Sequence, residues 1–135
     1  VYGPRQRGGD YAGVISIFIR SALASKTLPI DGDGLQSRDF TYIADVVNAN
    51  LLASKSTKAA GNIYNIGSGK RVTILELARL IKELTKSSSN IRHNPERPGD
   101  VKHSLANITA AKRDLGFEPI IQLEEGLRKT IEWMT

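Results

Sequence analysis

Arginines set beside glycines and acids are the residues best suited to chemistry in this chain. In Ile30-Asp-Gly-Asp-Gly-Leu-Gln-Ser-Arg38-Asp-Phe-Thr-Tyr42, a tight loop carrying Gly32 and Gly34 runs into a short strand-like segment whose Arg38 stands beside Asp39. Glycine at both loop positions permits positive φ or a close backbone approach to a ligand. Arginine stays charged at any working pH, and its planar fork gives two-pronged hydrogen bonds to phosphate. The pattern suits anion binding, and it equally suits an ion pair between Arg38 and a nearby acid. A second candidate is Asn94-Pro-Glu-Arg97-Pro-Gly-Asp100-Val, where two prolines and a glycine make a rigid turn that presents Arg97 and Asp100. Those two side chains could hold a phosphate and a sugar hydroxyl, or they could pair with each other.

Other chemistry finds little support. His93 and His103 are the only histidines, and no acidic cluster gives either a metal-ligand spacing, so no metal is expected. Serines lack the Gly-x-Ser-x-Gly setting of an activated nucleophile. The Gly67-Ser-Gly69-Lys-Arg turn follows a strand-like run and precedes a helix, but it lacks the third glycine of a dinucleotide fingerprint. It also lacks the earlier Gly and the Ser or Thr of a nucleotide-triphosphate loop, and it reads as a structural turn.

The elements that must position the arginines follow from periodicity. Gly8 and Gly9 suggest a loop, and Val14 to Ser25 a helix that is apolar on most sides and therefore buried. Leu28-Pro-Ile30 reads as an edge strand, since Pro29 cannot donate to a ladder. Asp45 is placed to cap a helix reaching about Ser54, and Lys55 to Gly61 reads as an exposed connection. Asn62 to Ile66 and Ile91 to His93 read as strands. Thr73 and Glu76 have capping-box spacing ahead of a helix with Ile74, Leu77, Ala78, Ile81 and Leu84 in period. Asn107 is placed to cap a short helix from Ile108 to Leu115 that Gly116 closes, and a last helix starts near Leu123, with Trp133 assigned to packing. The result is an α/β chain with short mixed strands and about five helices.

Composition sets outer bounds. The chain has 135 residues, 40% hydrophobic and 24% charged, which is the profile of a globular protein of one domain. No apolar run approaches the roughly 20 residues that cross a bilayer, so no membrane partner is expected and the cytoplasm is the default location. With no cysteine, disulfides and thiolate metal sites are excluded. Net charge is +5, but the bases are scattered, with no cluster larger than a pair such as Arg5-Gln-Arg7 or Lys70-Arg71, which argues against nucleic acid and suits a small phosphorylated ligand.

Five blocks carry a resemblance: Tyr2-Gly-Pro-Arg5, Gly32 to Val46 around Arg38-Asp-Phe, Tyr64-Asn-Ile-Gly67, Arg97-Pro-Gly-Asp100 and Leu115-Gly-Phe-x-Pro119. In this order and spacing the chain resembles the extended short-chain dehydrogenase/reductase family, in particular the C-terminal half of NAD-dependent nucleotide-sugar epimerases of the UDP-glucose 4-epimerase kind. The resemblance implies that residues 1–135 form the substrate-binding region, that most of the Rossmann domain is missing, and that NAD is bound mainly by that missing half. It implies that Arg38 and Arg97 clamp the diphosphate of a UDP-hexose and that Asp100 meets the nucleoside sugar. Pro29, Ile30, Asp31 and Gln36 would border the base, and Tyr2, Gly3, Pro4 and Arg5 would lie where the two regions meet, near the nicotinamide. No Tyr-x-x-x-Lys occurs, because Gln6, Ile15, Val46 and Ser68 stand four positions after the tyrosines. The chain alone is therefore expected to be inactive, with apolar surface left uncovered and a homodimer possible. Within the same family, nucleotide-sugar 4,6-dehydratases and decarboxylases are the nearest alternatives, the Arg38-Asp-Phe and Arg97-Pro-Gly-Asp100 blocks looking more epimerase-like; a free-standing phosphate- or RNA-binding module is a more distant one.

Overall fold

The computed structural model describes residues 1–6 and 13–135; the loop expected at Gly8 and Gly9 lies outside the described residues. Among the described residues five α-helices and four short strands follow one another, and the α/β expectation with mixed strands is met. Helix α1 (Val14–Leu23) is followed by β1 (Leu28–Asp31), β2 (Ser37–Arg38) and α2 (Ile43–Lys55). After a 3₁₀ turn at Thr57–Ala59 come β3 (Val72–Thr73), α3 (Ile74–Thr85), β4 (Ile91–Asn94), α4 (Thr109–Leu115) and α5 (Leu123–Met134). Among the described residues no helix is long and apolar enough to cross a membrane.

The larger core forms because α1 carries apolar residues around most of its surface. Ile15, Phe18, Ile19 and Ala22 are buried against α3 and β1, where Leu77, Ala78, Ile81, Leu28 and Ile30 meet them. Strand β1 pairs in parallel with β4, Leu28 opposite Ile91 and Asp31 opposite Asn94. The smaller core lies between α2 and α4, where Ala49, Ile108, Ala111, Leu115 and Phe117 are buried together. A second two-stranded sheet pairs β2 with β3 in antiparallel register, Arg38 opposite Val72, and the other side of β2 takes a bridge from His103.

Two helix ends match their sequence signals. Thr73 accepts from the Glu76 amide while Glu76 accepts from the Thr73 amide, completing the capping box of α3. Gly116 closes α4 at φ 65°, in the left-handed region that favours glycine.

Other expectations are corrected. Helix α2 starts at Ile43, two residues before Asp45, and has no side-chain cap. Asp45 is buried in its first turn and accepts instead from the Ile120 and Ile121 amides at 3.1 and 3.3 Å. Asn107 stands one residue outside the α4 cap position and bonds the Thr109 amide at 3.1 Å. Asn62 to Ile66 joins no ladder among the described residues, and Ile63 is 96% exposed; β-branched residues favour extended backbone, but a strand needs a neighbouring edge. Trp133, assigned to packing, is only partly covered, 49% exposed near the end of α5.

Candidate anion-binding site

The loop between β1 and β2 has the geometry its glycines foreshadowed, with Gly32 at φ 73° and Gly34 at φ 78°. A side chain at Gly34 would also press on Leu75 and Ile30, at 3.1 and 3.3 Å. Asp33 between them accepts from the Leu35 amide at 2.8 Å and from Lys102 at 3.0 Å. These bonds hold its carboxyl below the usual range, the Leu35 amide contributing most and Lys102 next. The loop closes further when Gln36 donates to the Asp31 carbonyl at 2.7 Å and Asn94 donates to the Asp31 carboxylate at 3.1 Å. Asp31 and Gln36 thus meet at one corner, Pro29 stands two residues earlier on β1 opposite Arg92, and the Ile30 side chain is buried in the core and leaves only its backbone for a ligand.

Strand β2 presents Arg38 at the far side of this loop. Its guanidinium donates to the Ser37 carbonyl at 2.9 Å, the Lys102 carbonyl at 3.5 Å and the Asp100 carboxylate at 2.5 Å. The Arg38 and Asp100 side chains are 24% and 32% exposed, so the pair stands half open to solvent. Arg97 and Asp100 do not pair with each other; the Asp100 amide closes the turn onto the Arg97 carbonyl at 3.2 Å, with Gly99 at φ 77°. Arg97 is exposed and makes no ion pair among the described residues. The structure therefore joins Arg38 to Asp100 and leaves Arg97 facing solvent on the rigid turn.

The two histidines serve local structure: His93 Nδ1 meets the Gly32 carbonyl at 2.7 Å and His103 Nδ1 meets Ser37 Oγ at 2.8 Å. Among the described residues no group of three His, Asp or Glu side chains could hold a metal ion. At the N-terminus, Tyr2 and Gly3 are buried, which leaves Pro4 and Arg5 to present side chains at the surface. The Tyr2 hydroxyl reaches the Leu123 carbonyl at 3.2 Å, and its ring packs edge-on against Tyr42.

A family profile described as the NAD dependent epimerase/dehydratase family matches residues 1–67. Over 98% of its length the chain is 41% identical to a UDP-N-acetyl-alpha-D-glucosaminuronate decarboxylase of Bacillus cytotoxicus, and it covers 43% of that protein. A putative UDP-glucose 4-epimerase of Methanocaldococcus jannaschii is 40% identical over 99% of the chain, which again covers 43% of it. The chain belongs to the NAD dependent epimerase/dehydratase family.

The fold agrees with the sequence. The crystal structure of UDP-glucose 4-epimerase with UDP-glucose from Thermotoga maritima is 42% identical and superposes with a TM-score of 0.93, covering 98% of this chain and 42% of that one. The chain thus spans less than half the length of the relatives it matches. The dinucleotide after which the epimerase/dehydratase family is named does not fit the residues present. Among the described residues, the glycine turn that follows an extended run and leads to a helix, Gly67-Ser-Gly69, already grips the Asp39 carboxylate through the Ser68 and Gly69 amides at 2.8 and 3.0 Å.

Asp39 is also the residue that sequence reasoning missed. It stands next to Arg38 in the chain, but its partners are 29 to 67 positions away. The only signal was the glycine turn itself, rightly read as structural but without its occupant.

Proposed function

We propose that this chain binds the nucleotide diphosphate of a UDP-hexose and is the substrate-anchoring part of an NAD-dependent 4-epimerase. The observation that carries the reading is the convergence of Arg38 on β2 and Asp100 on the rigid 94–100 turn, with Arg97 exposed three residues before Asp100. Two arginines on separate rigid elements suit the two phosphates of a diphosphate, each able to offer a two-pronged contact. Asp100 is an acceptor suited to a ribose hydroxyl, and the Gln36–Asp31 corner offers the base its polar edge. Pro4 and Arg5 would face the region that holds the dinucleotide, supplied by residues other than these 135. In that role the clamp contributes remote binding energy, which keeps the nucleotide in place while the sugar ring is repositioned.

A second reading is favoured by the 41% identity to a UDP-sugar decarboxylase: the same anchor serving decarboxylation. Both readings require the same nucleotide grip. Calorimetric titration of the chain with UDP, TDP, GDP and inorganic phosphate tests it, with UDP expected to bind in preference to the others. Equal binding of all four would reduce the site to a nonspecific phosphate patch, and steep salt dependence with RNA would point to the free-standing module instead.

A further inference from the structure

We propose that Asp39 is a positioning residue for the arginine clamp: its carboxylate holds the segment that carries Asp100 in register against the strand that carries Arg38. This rests on the nucleotide-binding reading above.

The Asp39 carboxylate collects four donors from two distant segments. Oδ1 accepts from the Ser68 amide at 2.8 Å and the Ser68 hydroxyl at 2.6 Å. Oδ2 accepts from the Gly69 amide at 3.0 Å and the Ala106 amide at 3.3 Å. All four donors are neutral, so the carboxylate is held by converging dipoles rather than by a cation.

The placement of those donors explains why they matter to Arg38. On one side of β2, the Ser37 amide donates to the Lys102 carbonyl at 2.8 Å and the Ser104 amide donates to the Ser37 carbonyl at 3.0 Å. The Asp39–Ala106 bond extends that seam beyond Arg38, while Asp100 lies two residues before its other end. On the opposite side, Val72 of β3 pairs with Arg38, and the Gly67–Gly69 turn closes onto Asp39. Arg38 therefore sits between two flanking segments that Asp39 ties together.

Gly67 gives an independent sign that this approach is close. A Cβ there would lie 2.4 Å from the Ala106 Cβ and 2.7 Å from Asp39 Oδ2. Its φ is not in the left-handed region, so space rather than conformation demands glycine. Replacing Asp39 by asparagine keeps the size but turns one oxygen into a donor, which then faces either the Ser68 pair or the Gly69 and Ala106 amides.

The experiment is calorimetric titration of the 135-residue chain with UDP in four forms: wild type, Asp39→Asn, Arg38→Ala and the double variant. Asp39→Asn is expected to raise Kd about tenfold at unchanged stoichiometry, the usual result of weakening one charge-assisted hydrogen bond. In the Arg38→Ala background the same change should move Kd less than about twofold, because the residue through which it acts is gone. An unchanged Kd with a lower stoichiometry would mean only that fewer molecules fold, and it would overturn the proposal. So would an equal loss in both backgrounds. Failure of the wild type to bind UDP would overturn the nucleotide reading itself, and this inference with it. Should Asp39→Asn not fold, Ser68→Ala removes a single donor; an unchanged Kd in that variant would likewise overturn the proposal.

Discussion

Arg38 and Arg97 differ in what already holds them, and that difference decides what their substitution should do. Arg38 donates to two carbonyls and to Asp100, so Arg38→Ala removes both a proposed phosphate contact and three internal bonds. It should weaken UDP binding by about 1.5–3 kcal/mol and also lower the melting temperature. Arg97 is exposed without an ion pair among the described residues, so Arg97→Lys should weaken UDP while stability stays within about 0.5 kcal/mol. An ammonium cannot reproduce a two-pronged contact, and equal UDP affinity with Lys at position 97 would exclude the fork there. Titration and thermal melts on the same samples separate the two arginines. At this scale the chain showed its arginines plainly, because charge and turn chemistry are local. The choice between ion pair and anion site was not legible for Arg38, since Asp100 is 62 residues away.

Elements were legible where their signals were short-range and obscure where they depended on a distant partner. The capping box of α3 needs only Thr73 and Glu76, and both of its bonds form. Thr73→Ala should therefore cost about 0.5–2 kcal/mol in chemical unfolding. The Thr73 amide and hydroxyl hold the Glu76 carboxyl below its ordinary value of 4.5, so that contribution is present above pH 4.5 and fades as pH falls through the lowered value. Asp45 shows the opposite case. Its type and place suggested a cap, but the Ile120 and Ile121 amides, some 75 residues on, claim its carboxylate. Tyr2 likewise ties the N-terminal segment to the start of α5 through Leu123. Burial pushes its phenol well above the ordinary value of 10.0, with Tyr42, Asp45 and Glu125 adding to the shift. A raised value means that the neutral phenol stabilises the fold fully below pH 10 and progressively less as pH rises beyond it. Tyr2→Phe should flatten the decline in stability above pH 10, and an unchanged alkaline profile would show that another group governs it.

At the scale of the whole molecule, the two cores account for most of the apolar residues but leave one face of α2 uncovered. Ile43, Val47 and Leu51 are spaced by four, so they line a single helix stripe, and all three are exposed. The opposite face, with Ala49, packs on α4 and supplies the smaller core, so the helix is apolar on both sides. A helix of that kind is stable only when both faces find cover. Contiguous exposed apolar surface drives association. The 135-residue chain is therefore expected to self-associate at rising concentration. Substituting both Val47→Glu and Leu51→Lys should return it to monomer in sedimentation velocity. Because neither side chain is buried, the melting temperature of the monomer should hold. The new Glu and Lys also stand four residues apart in the orientation that favours a helical ion pair. Association that persists in this variant would place the contact elsewhere, with the half-exposed Trp133 and Leu23 near the ends of α5 and α1 the next surface to change.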